Sequence, residues 1–338
     1  MNFIERRLQA LAFQKRVGNL KAGGRPQPQN PIAHVILGCL TPAGLSANGK
    51  GSKQLFPAFC QILRELGFAT HICTSHRQIE HRVDKAKVAI LINIFGEDHN
   101  DIASPQMIRL ESKAAAVFNR AQMGTIIADK QRSLEHFTKF GVPMPPQPSA
   151  DGVAFSNART GTARTVSLVS GTQNLDGGRY NRAMINTVQT FEGRSYHTTV
   201  RLMCVADQII HAMVRARPVE DENPSVHSKN TPLDPKLLGY LQQKLVDGQQ
   251  ETLQQIARSM NDAIGPCFVA HDILFDQNSG GAFVCEAGLK FFDQTFQKHI
   301  LPIRRSVPLH KLLFDERRYA QKAANLFVDW VKLNALNG

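Results

Sequence analysis

Two apolar runs, IAHVILGCL at residues 32–40 and KVAILINIF at 87–95, place the tightest limit on the fold. Neither alternates polar with apolar residues, so each reads as a strand buried on both faces. Between them come SKQLFPAFCQILRELGF, an amphipathic helix stopped at Gly67, the short strand ATHICTS and a polar helix. Strand and helix alternate, and a parallel sheet with helices on its faces is the economical solution.

The loop after the first strand contains GLSANGKGSK, residues 44–53. In α/β sheets such a loop is a common place for ligands. Gly44, Gly49 and Lys50 supply the G-x-x-x-x-G-K frame of a P-loop, but position 51 is Gly. The hydroxyl that holds magnesium in that motif is missing there, although Ser52 is adjacent. Two readings follow: a P-loop-type ATPase, or a flexible loop facing a substrate, a role glycine also serves.

At 338 residues and 42% hydrophobic composition the chain can bury a full core, and its length suits two or three units. Its longest apolar runs fall far short of the ~20 residues that cross a bilayer, so no membrane partner is expected. Six cysteines, at 39, 60, 73, 204, 267 and 285, sit singly in apolar segments without a C-x-x-C pair. That pattern suits reduced, buried thiols rather than disulfides or zinc ligands. The early run LQALAF is short and no clean cleavage pattern follows it, so a cytoplasmic location is the expectation. Net charge is +12, and in the first thirty residues Arg6, Arg7, Lys15, Arg16, Lys21 and Arg25 face only Glu5. This basic arm carries no recognised nucleic-acid module, which favours a solvated tail or first helix over a nucleic-acid partner.

From Asp129, DKQRSLEHFTKFGVPMPPQP reads as a helix with an acidic start, a stop at Gly141 and prolines beyond. Residues 155–217 read as short strands and hold eight arginines but no lysine. Guanidiniums make planar, two-pronged contacts with phosphate or carboxylate, so this is a candidate anion-binding surface; scattered surface arginines are the alternative. YHTTVRLMCV and QIIHAMVRARP flank Ala206 and Asp207 as a β-hairpin. Alternation puts Arg215 and Arg217 on one face, and whether Arg201 joins them depends on the turn register. A polar linker follows, and then one long helix is expected from about residue 236 to 263.

CFVAHDILFDQNSGGAFVCEAGLKF, residues 267–291, reads as two apolar strands joined by the turn QNSGG. If Asp276 pairs with Ala282, Asp272 falls opposite Glu286, with Phe268, Ala270, Leu274 and Val284 as neighbours on that face and little access to water for either acid. Opposed Cβ atoms lie roughly 4.5–5.5 Å apart, and like charges there destabilise the sheet. A magnesium ion between the carboxylates would compensate, since it prefers oxygen ligands and bridges carboxylates to phosphates. One shared proton is the other solution. Lys290, further along the strand direction, is either in reach of a phosphate or simply solvated.

TVRLMCVADQIIHAMVRARP, PSVHSKNTP, the long helix and AHDILFDQNSGGAFVCEAGLKF together resemble the C-terminal half of ATP-grasp carboxylate-amine ligases, particularly the ribosomal-protein-modifying glutamate ligases. ADKQRSLEHFTKFGVPMPPQ resembles the helix that leads into their nucleotide-binding lobe. The resemblance covers most of the chain from Asp129 onward. It implies a mixed α/β and α+β architecture: a basic arm at 1–30, a Rossmann-like parallel-sheet domain at 31–120, a small central lobe at 121–190 and a C-terminal ATP-grasp-like lobe at 191–338. It also implies ATP and Mg2+ as cofactors, with Asp272 and Glu286 as the magnesium ligands. Arg201 and one of Arg215 or Arg217 would neutralise the transferring phosphoryl group. His227 and Asn230 fall in the loop that approaches substrate and phosphate, and Lys130 starts the entering helix, where a family lysine is common. Partners would be small-molecule or peptide carboxylates and amines, with a homo-oligomer left open.

The chain departs from that family in its chemistry. The second metal motif runs Glu-x-Asn in the family, whereas here it is Glu286, Ala287 and Gly288. The central lobe lacks the strand lysine, SGTQNLDGGRYNR is its only flap-like segment, and the lobe is shortened. Two principal functions are therefore expected: an ATP- and Mg-dependent ligase working through an acyl phosphate, or a catalytically degenerate relative that binds nucleotide or anion without turnover.

Overall fold

The computed structural model describes residues 26–38, 55–94, 104–160, 166–221, 225–307 and 311–336. The P-loop-like stretch 44–53, Cys39 and nearly all of the basic arm lie outside them. The first sheet takes β1 (His34–Gly38), β2 (Ala69–Cys73), β3 (Ala89–Asn93) and β4 (Ala116–Phe118) in the order β2-β1-β3-β4, all parallel. Its helices are α1 (Leu55–Glu65), α2 (His76–Lys85) and α3 (Pro105–Lys113), the last two capped by Ser75 and Ser104. The alternation read from the two apolar runs is thus present.

Two short helices follow, α4 (Ala121–Ile127) and α5 (Lys130–Lys139). Asp129 caps α5 by accepting from the backbone N–H groups of Gln131 and Arg132, and Gly141 leaves the helix with φ of 70°. A small antiparallel sheet of β5 (Val153–Asn157), β6 (Ser167–Ser170) and β7 (Tyr180–Ala183) comes next, in the order β6-β5-β7.

The third sheet holds β8 (Val188–Phe191), β9 (Arg194–Val205), β10 (Gln208–Pro218), β11 (Phe268–Phe275) and β12 (Ala282–Gly288). Its path runs β10-β9-β11-β12, with β8 pairing the start of β9. The single helix expected at 236–263 is two, α6 (Pro235–Leu245) and α7 (Gln250–Ile264), with a 3-10 turn at Asp247–Gln249 between them. Asp247 and Gly248 are poor helix formers, and the chain turns there while both flanking helices keep their apolar faces buried. The chain closes with α8 (Gln294–Ile300), α9 (Lys311–Phe314) and α10 (Glu316–Asn334).

One apolar cluster joins the first and third sheets. It takes Val35, Leu37, Ile90 and Ile92 from the first, Met203 and Phe268 from the third, and Phe59 and Phe327 from α1 and α10. Phe268 stacks on Phe291 with ring centroids 4.0 Å apart, and Phe118 meets both Phe268 and Phe327. Burying each such ring contributes about 1.5–3 kcal/mol. Asn119, at φ of 57°, ties the sheets by polar contacts as well: its Oδ1 accepts from the Phe268 N–H at 2.8 Å and its Nδ2 donates to the Asn93 carbonyl. The opposite face of the third sheet packs α6 and α7 through Leu237, Leu241, Ile256 and Met260.

On β1 and β2 the rings of His34 and His71 stack, with Nδ1 and Nε2 3.0 Å apart. Burial, Arg82, His34 and Arg64 together lower the His71 pKa to about 4. Its folded pKa lies below its ordinary 6.5, so folding favours the neutral ring. That contribution is complete above pH 6.5 and is lost as pH falls toward 4. Solvent screening limits it to the order of 1–2 kcal/mol. The melting temperature should therefore drop between pH 6.5 and 4.5, and His71→Gln should flatten that limb. An equally steep limb in the variant would assign the acid sensitivity to other groups.

Candidate functional site

The site is built on one face of the third sheet. Ala206, at φ of 51°, and Asp207 close the β9–β10 hairpin, and the register sets Arg201 opposite Met213, Arg215 opposite Thr199 and Arg217 opposite His197. Residues directly opposed share a face, so Arg201 joins Arg215 and Arg217. On its other side Arg201 pairs with Asp272 of β11, which pairs in turn with Glu286 of β12. A single row therefore crosses four strands as Met213, Arg201, Asp272 and Glu286.

The opposition of Asp272 and Glu286 holds, but by a different route from the one the sequence suggests. Phe275, not Asp276, pairs with Ala282, and a bulge at Cys285 restores the register so that Asp272 meets Glu286. The bulge also sets Val284 opposite Ile273, on the apolar face instead of beside the acids. Asp272 is 9% exposed, whereas Glu286 is exposed to water. The expected crowding of two buried carboxylates is thus absent.

Two arginines compensate the charge of Asp272. Arg201 donates to it in a fork, Nε to Oδ1 at 2.8 Å and Nη2 to Oδ2 at 2.9 Å. Arg215 adds Nη2 to Oδ1 at 2.8 Å, leaning across from β10. Burial by itself would raise the Asp272 pKa, but Arg201 and Arg215 hold the carboxyl well below the usual range. An ionised Asp272 has no proton to share with Glu286.

Arg201 has a second acid partner that the sequence reading missed. Its Nη1 donates to Asp293 Oδ2 at 2.7 Å, while Asp293 Oδ1 accepts from the Phe296 N–H and caps α8. Asp293 is buried; burial raises its pKa, and Arg201 with the Phe296 N–H outweighs it and lowers the value. An aspartate before QTFQKHI carries an N-cap signal, but nothing local marks it as the partner of an arginine ninety-two positions earlier.

The other expected residues surround this cluster or leave it. Arg217 turns to Asp221 (Nε to Oδ2, 3.2 Å) and to the Ser225 carbonyl (3.1 Å). His227 lies 3.2 Å from Ser225 Oγ through Nε2, and desolvation followed by Arg215 lowers its pKa, which places it in range of the cluster. Asn230 ends a 3-10 turn whose backbone N–H reaches the His227 carbonyl. Lys290 comes within electrostatic range of Asp293, and Lys130, the first residue of α5, within range of Cys285. The segment after α5 pairs with β12, where the Val284 N–H donates to the Pro143 carbonyl at 2.7 Å, and Tyr180 of the small sheet lies within electrostatic range of Cys285 and Glu286.

These residues do not fit a resident magnesium ion. Both Asp272 oxygens already face guanidinium N–H groups, Gly288 offers no side chain, and Glu286 is the row's remaining carboxylate. Among the described residues no group of three or more His, Cys, Asp or Glu is placed to hold a metal. Magnesium takes octahedral oxygen ligands at roughly 2.0–2.1 Å, and here it would sit against two fixed positive charges.

No protein-family model and no curated protein matches the chain. Solved structures do match. D-alanine–D-alanine ligase from Bacillus anthracis superposes over 90% of this chain and 99% of its own, at TM-score 0.50 and 10% identity. A RimK domain ATP-grasp protein from Sphaerobacter thermophilus covers 88% and 100%, at TM-score 0.42 and 12% identity. N5-carboxyaminoimidazole ribonucleotide synthetase from Thermotoga maritima covers 79% and 71%, at TM-score 0.46 and 13% identity. The chain has the ATP-grasp fold. Among the described residues no helix is long and apolar enough to cross a membrane.

Replacing Asp272 by Asn should destabilise the metal-free protein by about 3–5 kcal/mol, since buried Arg215 loses its acid partner and Arg201 keeps only Asp293. Inorganic phosphate should recover part of that loss by binding the exposed forks in the folded state. Urea unfolding with and without phosphate checks both effects. A gain in metal-free stability would show instead that Asp272 is held against an opposing carboxylate.

Proposed function

We propose that the chain is an ATP-dependent carboxylate-amine ligase in which arginines, rather than resident metal, supply most of the charge that steadies the transferring phosphoryl group. The observation that carries this reading is the convergence of Arg201 and Arg215 on one face of the third sheet. Arg215 spends Nη2 on Asp272, while its buried Nε has no hydrogen-bond partner, so the fork retains donors for an oxyanion. Asp272 and Asp293 hold Arg201 in place beforehand, which lowers the reorganisation needed as charge develops.

On this reading an oxygen of the substrate carboxylate attacks the γ-phosphorus of ATP, and the bond to the β-phosphate oxygen breaks. The products are an acyl phosphate and ADP. An amine nitrogen then attacks the acyl carbon, phosphate leaves, and the amine proton passes to solvent. Neither step needs a nucleophile from the protein, and positioning with charge neutralisation suffices. The resemblance from Asp129 onward and the ATP-grasp fold both favour this class.

A second reading, anion or nucleotide binding without turnover, is favoured by the occupied oxygens of Asp272 and by Gly288 in place of an amide ligand. The P-loop reading rests on residues 44–53, outside the described residues. Calorimetric titration with ADP, with and without magnesium, followed by hydroxylamine trapping of acyl phosphate over a panel of carboxylates, separates the two main readings. The ligase should consume ATP only when a carboxylate is present. Arg215→Gln should lower that rate about 10²–10³-fold, the usual cost of one preorganised donor. Tight ADP binding without carboxylate-dependent ATP consumption would select the second reading, and no nucleotide binding at all would sink both.

A further inference from the structure

A cavity of about 570 Å³ lies between α9 and α10, lined by Lys311, Leu312, Arg318, Gln321, Lys322 and Asn325. Positions 318, 321, 322 and 325 recur at helical spacing, so α10 presents a single stripe of hydrogen-bond donors to it. The opposite face of the same helix supplies Tyr319, Ala323, Phe327 and Val331 to the core, which fixes the direction of the stripe.

Three of the six lining residues are cations, two are amides and none is an acid. Among the described residues Lys311, Arg318 and Lys322 make no ion pair. The Lys322 ammonium instead donates to the Ile210 carbonyl at 2.7 Å, where the β9–β10 register slips, and desolvation there lowers its pKa. Nearby carboxylates are engaged or offset. Asp315 caps α10 by accepting from the Arg318 N–H, and Asp329 lies one turn beyond Asn325 without lining the cavity. Three uncompensated cations around a cavity of ligand size make it an anion site. A single carboxylate would leave most of that charge unmatched, whereas a phosphate brings up to two charges and several acceptor oxygens for the Arg318 fork and the amides.

We infer that the groove between α9 and α10 is a binding site for a phosphate-bearing small molecule, separate from the Arg201 and Arg215 cluster. Lys311 and Arg318 are the contacting cations, with Lys322 as the fixed wall and Asn325 as a donor. This inference is independent of the proposed ligase chemistry.

Isothermal titration of the full chain with sodium pyrophosphate tests it. The expected result is saturable binding that weakens at least tenfold in the Lys311→Gln, Arg318→Gln double variant and again in Asn325→Asp, which places a carboxylate in the groove. All three positions are exposed, so circular dichroism and melting temperature without ligand should match the wild type. Wild-type affinity in both variants would place the bound anion elsewhere and overturn the inference, as would absence of pyrophosphate binding to the wild type. The Arg201 and Arg215 cluster is intact in both variants, so loss of binding in them cannot be charged to the proposed active site.

Discussion

The two-pronged contact between Arg201 and Asp272 governs the arrangement of the third sheet. It joins β9 to β11 at its centre, and through Asp293 and Arg215 it extends to α8 and β10. A buried ion pair is seldom more stabilising than well-packed apolar side chains of equal volume. Its effect here is on specificity. A slip of one residue in β9 would turn Arg201 toward the face occupied by Val200 and Leu202, where α6 and α7 bury apolar side chains and the amide of Gln242 but no acid. The register that pairs β9 with β11 is therefore the one that leaves no charge stranded.

That charged row lies close to a dense apolar region. Further along the same face, Met203, Ala270 and Phe268 run into the cluster shared with the first sheet, and Phe291 and Phe327 fill the space between them. α10 packs along α1 and reaches the same cluster, so the C-terminal helix closes the core begun by the first strands of the chain. Close packing of this kind transmits strain poorly tolerated by side-chain rearrangement, and it holds the backbone under the arginines still. Preorganisation of the guanidiniums follows from packing as much as from their acid partners.

Charge bookkeeping explains why metal and arginine are alternatives at this position. Arg201 and Arg215 balance Asp272 and Asp293, which leaves a near-neutral buried group with exposed Glu286 at its rim. On the proposed function, an entering polyanion competes with Asp272 for the guanidinium donors, and its affinity reflects that exchange rather than simple attraction. The Gly at position 288 fits such a site, because no amide is needed to complete a metal shell.

The sequence by itself determined the local elements. Unbroken apolar runs gave β1 and β3, Asp129 and Gly141 bounded α5, and the Ala206–Asp207 and QNSGG turns marked both hairpins, since periodicity and turn chemistry act over a few residues. It also brought Arg201, Arg215, Asp272 and Glu286 forward as candidates. What only the tertiary structure decided was how they pair. The bulge at Cys285, the β9–β11 register and the approach of Asp293 are non-local, and each depends on how strands distant in sequence align their apolar faces. The break between α6 and α7 was not read from the sequence, because the weak propensities of Asp247 and Gly248 do not decide a helix end without the packing that exploits them. Two facing carboxylates in a sequence suggest a cation, and only the fold could supply a guanidinium from another strand, because that contact exists once the sheet has closed.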